Sequence, residues 1–280
     1  MNNQIKPAIP VSVCGLLSAA LLCVATAASA HDIYIWPSFF AVSMEEGGHV
    51  PVDITASHTT YRPDFAMASD GLWVYGVDGK RIQRPGAYYQ GMRRATFDLP
   101  IAESGTYALK YKSGPSYFTS YVIGRSDEPK FLRANKVEAA AEVPKKAKDV
   151  KTTAYLSVGM SYVTNNAPTE EVLAPTNVGF ELVPVTHPAD YVTGEEIELS
   201  LLRDGNPVAD EAVVVELEGP NYREQPVVME LASDQNGRVM FTPDHGGRYM
   251  AKVLAERPSD DPLMDVEVTR VYYAFEVIYE

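Results

Sequence analysis

Three side chains carry the most chemistry in this sequence: His31, His58 and Asp64. His31 follows Ala28-Ser29-Ala30, a small-x-small run that signal peptidase cuts. Residues 11–27 before it are apolar and small, with Lys6 the only charge upstream. Cleavage there would make His31 the first residue of an exported chain. Its free α-amine and the Nδ1 of its own ring then chelate one metal ion, and a second imidazole completes a nitrogen-rich site suited to copper, nickel or cobalt. His58 is the expected second imidazole, placed in Ser57-His58-Thr59-Thr60-Tyr61-Arg62-Pro63-Asp64, a loop at a sandwich end just past an expected strand. Asp64 or Asp32 would add a carboxylate, and Tyr61 an axial group. The competing reading is that His31 simply follows a cleavage site and His58 is an ordinary surface-loop histidine.

The remaining histidines read as structural. His49 follows Glu45-Glu46-Gly47-Gly48 in an expected turn, His187 sits before Pro188 at a domain entrance, and His245 precedes Gly246-Gly247. Aromatic residues such as Tyr34, Trp36, Phe40, Tyr61 and Phe118 concentrate in the first half. Strand alternation sends about half of them into a core. Any exposed strip is then a stacking surface for a sugar, a siderophore or a chelated metal. There is no Gly-x-Ser-x-Gly elbow, His-Glu-x-x-His pair, phosphate-cradling loop or dinucleotide fingerprint, so a binding role is expected rather than an enzyme.

The elements that must position these groups are strands. Val50-Pro51-Val52-Asp53-Ile54 alternates, Leu72 to Val77 ends at Asp78-Gly79, and extended runs follow at 95–100, 106–111 and 117–123. A short helix is expected from Phe131-Leu132-Arg133-Ala134 and Lys136 to Glu142, ending before Pro144, then a solvated turn at Lys145-Lys146-Ala147-Lys148 and a strand over 150–163. Residues 164–178, with Asn165-Asn166, Pro168 and Pro175, read as a linker. From Gly179 a second series of short strands runs to the end, with turns at Asp204-Gly205 and Asn236-Gly237.

The predicted fold is therefore all-β: two immunoglobulin-like β-sandwich modules joined by a partly helical linker, after a cleaved signal peptide. The expected boundaries are a leader over 1–30, an N-terminal sandwich over 31–126, a connecting segment over 127–178 and a C-terminal sandwich over 179–280. The modules echo one another weakly. Gly105-Thr106-Tyr107 and Gly247-Arg248-Tyr249 each enter a strand, and such a tyrosine bonds the turn before it.

Composition narrows the partners. Both cysteines, Cys14 and Cys23, lie in the expected leader, so neither a disulfide nor a thiol nucleophile is expected after cleavage. Leu22 before Cys23 argues against a lipid anchor there. The formal charge of −13 argues against nucleic acid and anionic membrane surfaces. No apolar run after the leader reaches the length of a membrane span.

With these residues laid out, the chain resembles the periplasmic NikM-like family, labelled as the periplasmic component of nickel or cobalt uptake. The matching text is Ala30-His31-Asp32-Ile33-Tyr34, the loop from Ser57-His58 to Pro63-Asp64, Glu142-Val143-Pro144-Lys145-Lys146, Glu181-Leu182-Val183-Pro184-Val185-Thr186-His187-Pro188 and Asp204-Gly205-Asn206-Pro207. The resemblance implies a periplasmic two-module β protein linked to transition-metal acquisition, working beside an outer-membrane receptor or an inner-membrane transporter. It carries no catalytic set to transfer. The expected role is binding or delivery of nickel, cobalt or copper with His31, His58 and Asp64 as ligands. The alternatives are a metal-independent module for a protein or polysaccharide, and a copper oxidase built on an N-terminal histidine brace.

Overall fold

A computed structural model describes residues 32–58, 61–82, 86–125 and 128–280. The leader expected over 1–30 and the candidate ligand His31 lie outside the described residues. The strands, in chain order, are β1 (Asp32–Pro37), β2 (Ala41–Val42), β3 (Gly48–Ser57), β4 (Phe65–Ala66), β5 (Leu72–Tyr75), β6 (Arg81–Ile82), β7 (Tyr88–Gln90), β8 (Ala95–Ile101), β9 (Gly105–Val122) and β10 (Lys130–Leu132). After the helix α1 (Lys136–Glu142) come β11 (Lys148–Asn165), β12 (Phe180–Pro184), β13 (Ile197–Arg203), β14 (Asn206–Pro207), β15 (Ala212–Leu217), β16 (Val228–Ala232), β17 (Arg238–Phe241), β18 (Gly247–Pro258) and β19 (Val266–Val277). No described helix is long and apolar enough to cross a membrane.

Local sequence accounts for most of these elements. In β8, every second residue from Ala95 to Ile101 is buried, which is the period of a half-covered strand. Helix α1 starts at a capping box: the Asn135 side chain accepts from the Val137 and Glu138 amides, and the Glu138 carboxylate accepts from the Asn135 amide. It stops at Val143, whose position before Pro144 disfavours helical backbone. The extended runs expected at 106–111 and 117–123 are one strand, β9. Its middle is accommodated by Gly114 at φ 101°, where an added Cβ would stand 2.4 Å from the Tyr155 carbonyl oxygen.

Among the described residues the strands form three sheets. The first has the order β1-β3-β8-β7, with β4 against β3; the third has the order β12-β13-β14, with β17 against β13. Between them lies a ten-stranded sheet in the order β16-β15-β18-β19-β11-β9-β5-β6, extended by β10 on β9 and β2 on β11. Each half of this shared sheet follows an immunoglobulin-like pattern. β12, β13 and β17 stand as A, B and E against β16, β15, β18 and β19 as C′, C, F and G. In the other half, β1, β3 and β8 stand against β6, β5, β9 and β11 in the same roles. The segment 127–178 thus supplies more than a connection, because its strand β11 is the G strand of the N-terminal sandwich.

The two G strands pair in parallel, from Thr153 opposite Val266 to Met160 opposite Tyr273. A mirrored strand order about a parallel pair results from a half-turn along the strand direction, and that rotation exchanges the sheet's faces. The first and third sheets must then cover opposite faces. The cores agree: Tyr272, Ala274, Val163 and Leu109 pack with Ile35, Ile54 and Leu99 of the first sheet, whereas Val271, Tyr273, Phe275, Met160 and Tyr162 pack with Leu182, Leu199 and Phe241 of the third. Covered on both sides, β19 loses the alternation of a half-exposed strand and is buried from Val268 through Phe275.

The tyrosine echo has a structural basis. The Tyr107 hydroxyl accepts from the Ala102 and Glu103 amides at 3.1 and 2.9 Å, and the Tyr249 hydroxyl donates to the His245 carbonyl at 2.7 Å. Each ties the start of an F strand to the preceding turn. The glycines before them, Gly105 and Gly247, share φ values of 140° and 141° that L side chains avoid.

Because β19 contributes to both cores, the two sandwiches are expected to unfold together. Phe275 is buried against Tyr191, Tyr249 and Tyr273 in the C-terminal core, while both tryptophans, Trp36 and Trp73, lie in the N-terminal half. Phe275→Ala should cost about 3–5 kcal/mol and lower the midpoint of the tryptophan fluorescence transition in urea. An unchanged fluorescence midpoint would mean the sandwiches unfold independently.

Candidate functional site

The loop that carries His58 and Asp64 hangs from the end of β3. Its return strand β4 pairs Phe65 with Ala56, and the Asp64 amide donates to the Ala56 carbonyl at 3.1 Å, which closes the loop at its base. The Asp64 Oδ2 accepts from the His58 backbone amide at 2.9 Å and stands 3.3 Å from His58 Nδ1. These bonds, the backbone one first, hold the Asp64 carboxyl below its ordinary value, with the Arg93 guanidinium at 3.8 Å adding to the effect. The two predicted groups therefore meet, and the carboxylate engages Nδ1. A metal bound by His58 would then use Nε2, with Asp64 orienting the ring rather than ligating.

His31 lies outside the described residues, but its neighbour in the chain does not. β1 and β3 pair antiparallel from Pro37 opposite Val52 to Asp32 opposite Ser57. Asp32 is bonded to His31 in the chain and Ser57 to His58. Among the described residues, no group of three or more histidine, cysteine, aspartate or glutamate side chains is gathered closely enough to hold a metal ion.

Asp32 serves a different purpose from the ligand role expected for it. Its carboxylate lies 2.8 Å from Lys252 Nζ of β18, and the same amine lies 3.0 Å from Glu216 of β15. Burial works against the Lys252 charge, but Asp32 and then Glu216 outweigh it and hold the amine above its ordinary value. One lysine thus pins the start of β1 to the other sandwich.

Tyr61 is held nearby at φ 68°, and its hydroxyl donates to the Glu216 carbonyl. Burial, followed by the nearby Glu216 and Glu218 charges, drives its phenol far above the ordinary range, so it stays protonated and acts as a donor. Its ring meets Trp36 edge-on at 5.2 Å, and Tyr34 does the same at 5.9 Å. The Arg248 guanidinium lies 4.8 Å from the Trp36 ring centre and forms a bidentate pair with Glu218 at 2.7 and 2.9 Å. Together with Asp53, Arg94 and Pro63 these residues line a cleft of about 200 Å³. Arg94 is paired in turn with Asp53 at 2.9 Å.

His49, expected in a turn, instead lies exposed on strand β3 opposite Pro100, because the turn closes before Gly48. His187 accepts from the Ala189 amide through Nδ1 at 3.0 Å, so its Nε2 carries the proton and donates to Thr169 O at 3.2 Å, beside the Thr106 hydroxyl at 3.1 Å. The ring fixes the entrance to the C-terminal sandwich. Sequence reasoning identified the His58 loop but not Lys252, Glu216, Glu218 and Arg248. The one local sign was Lys252 in a strand whose neighbours Met250, Ala251 and Val253 are all apolar.

A family model described as a domain of unknown function, DUF4198, matches residues 28–257. No curated protein sequence matches the chain. Among solved structures, the D0-D1 domain of intimin is 11% identical over 88% of this chain and 99% of its own, with a TM-score of 0.22. The Yersinia pseudotuberculosis adhesin InvE is 12% identical over 86% of this chain and 60% of its own, with a TM-score of 0.21. The chicken CNTN1 FN1-FN3 domains are 9% identical over 86% and 98%, with a TM-score of 0.20. At TM-scores this low, none bears on what this chain does.

Lys252→Met would leave two largely buried carboxylates without their cation. The expected cost is about 2 kcal/mol, between the values for exposed and buried pairs, and Lys252→Arg should recover most of it. A group raised in the folded state stabilises below its unfolded value and loses that contribution only as pH rises through the folded one. The deficit measured by thermal unfolding should therefore persist unchanged across neutral pH. Wild-type stability in Lys252→Met would contradict the pinning role.

Proposed function

Because the chain belongs to the family described as domain of unknown function DUF4198, a description that names no activity, we propose a function from the chemistry of the His58 loop: an exported carrier of a divalent transition metal. The observation that supports it is the β1–β3 ladder reaching Asp32 and Ser57, next in the chain to His31 and His58 respectively, with His58 Nδ1 3.3 Å from Asp64. Cleavage after Ala30 would supply an amine and an imidazole from His31, and His58 Nε2 would supply a third nitrogen. Three nitrogens suit tetragonal copper(II) or nickel(II). Asp64 would hold the His58 ring as an outer partner, the usual arrangement for a ligating histidine. The described residues offer too few donors on their own, so the reading requires His31. The family match says nothing of nickel or cobalt, and the NikM-like label lends the reading no support.

A second reading takes the cleft beside Trp36 as a metal-independent site for a small molecule. Its aromatic walls favour this. Both of its arginines are already paired, however, and bring no spare charge to a ligand.

The reading is tested by calorimetric titration of copper(II), nickel(II) and cobalt(II) into three forms: the chain beginning at His31, the same chain with one alanine added before His31, and His58→Ala. The added residue leaves every side chain in place while removing the amine chelate. Tight binding to the first form, weakened at least about tenfold in each of the others, is expected. Equal affinity in all three, or no binding to the first, would overturn it.

A further inference from the structure

A second concavity lies on the opposite face of the shared sheet. β9 and β11 are 18 residues long, whereas β12 and β13 of the covering sheet are 5 and 7, so the cover stops short of the face it lies on. The result is a groove of about 440 Å³, floored by Val158, Met160 and Val271 and walled by Phe180 and Leu182 of the edge strand β12. That volume is within the range of small-molecule sites.

The charges around it do not all cancel. At one rim Arg257 is paired with Glu267 at 2.9 Å and Asp204 at 3.5 Å. Glu181 is occupied by the Thr176 and Asn177 amides at 3.0 and 2.7 Å and by the Thr176 hydroxyl at 2.8 Å. Lys112 lies over the Trp73 ring. Lys110, opposite Met160 in the β9–β11 ladder, also lines the groove, and no described carboxylate comes within 4.0 Å of its amine. Its amine lies over the Tyr75 ring, 5.9 Å from the ring centre. Burial, and secondarily Lys112, lowers the Lys110 amine from its ordinary value, against a smaller opposing effect of Glu181. A desolvated cation without a counter-ion is costly, and an anion that brings its own apolar body relieves that cost.

We propose that this groove binds an amphipathic carboxylic acid, its apolar body on Val158, Met160 and Val271 and its carboxylate on Lys110. The site is independent of the His58 loop, and its occupancy does not depend on any metal.

The probe is decanoate, with 1-decanol as neutral control, titrated calorimetrically into the chain without added metal. Decanoate should bind about tenfold more tightly than decanol, as expected for one charge-assisted contact. Lys110→Met should abolish that difference while leaving decanol binding intact, and Lys110→Arg should keep it. Because Lys110 is only half-buried and no described carboxylate lies within 4.0 Å of it, Lys110→Met should leave the melting temperature close to that of the wild type, so loss of binding cannot be ascribed to unfolding. Val158→Trp, which fills the groove without touching the charge, should weaken both ligands. Failure of decanoate to bind, equal affinity for decanol, unchanged decanoate affinity in Lys110→Met, or unchanged affinity for both ligands in Val158→Trp would each overturn the assignment.

Discussion

The parallel pairing of β11 with β19 is the interaction on which the rest of the molecule depends. It joins two sandwiches of like topology into one sheet, and the half-turn it imposes sets their covering sheets on opposite faces. Backbone hydrogen bonds here serve two cores at once. A residue such as Tyr272 packs toward the first sheet, and its neighbours Val271 and Tyr273 pack toward the third. Strands buried on both faces need apolar side chains at successive positions, which explains the unbroken apolar run Val271-Tyr272-Tyr273-Ala274-Phe275.

From that arrangement follows the placement of the candidate metal site. The first sheet reaches past its own half of the shared sheet, so that β1 lies against β19 and its start meets Lys252 of β18. Trp36 then lies beneath Arg248, and Tyr61 reaches the Glu216 carbonyl. These contacts cross from one sandwich to the other, and they fix the β1–β3 ladder beside which His58 and Asp64 stand. The groove at Lys110 has the same origin on the opposite face, where the shorter third sheet leaves part of the shared sheet uncovered.

Much of the fold was legible because much of it is local. Alternation marked β3, an extended run marked β8, Pro144 marked the end of α1, although Phe131 and Leu132, read with that helix, belong to strand β10, and the Gly-x-Tyr echo anticipated two tyrosines that tie their own turns. The joining of the sandwiches was not legible. Thr153 and Val266 are far apart in the chain, and a parallel pair has no connecting turn whose residues announce it. The site divides in the same way. His58 and Asp64 are legible together because one short loop holds both, whereas the ion pairing of Asp32, offered only as an alternative carboxylate to Asp64, is not, because its partners Lys252 and Glu216 come from the other half of the sequence.

The most direct measurement is electron paramagnetic resonance of the copper(II)-loaded chain beginning at His31, compared with His58→Ala and with the free peptide His31-Asp32-Ile33. Nitrogen hyperfine splitting from three donors in the intact chain, falling to the two-nitrogen pattern of the peptide in His58→Ala, is the predicted result. A spectrum that is the same in the intact chain, the variant and the peptide would show that His58 does not ligate, and would contradict a site built at the end of the β1–β3 ladder.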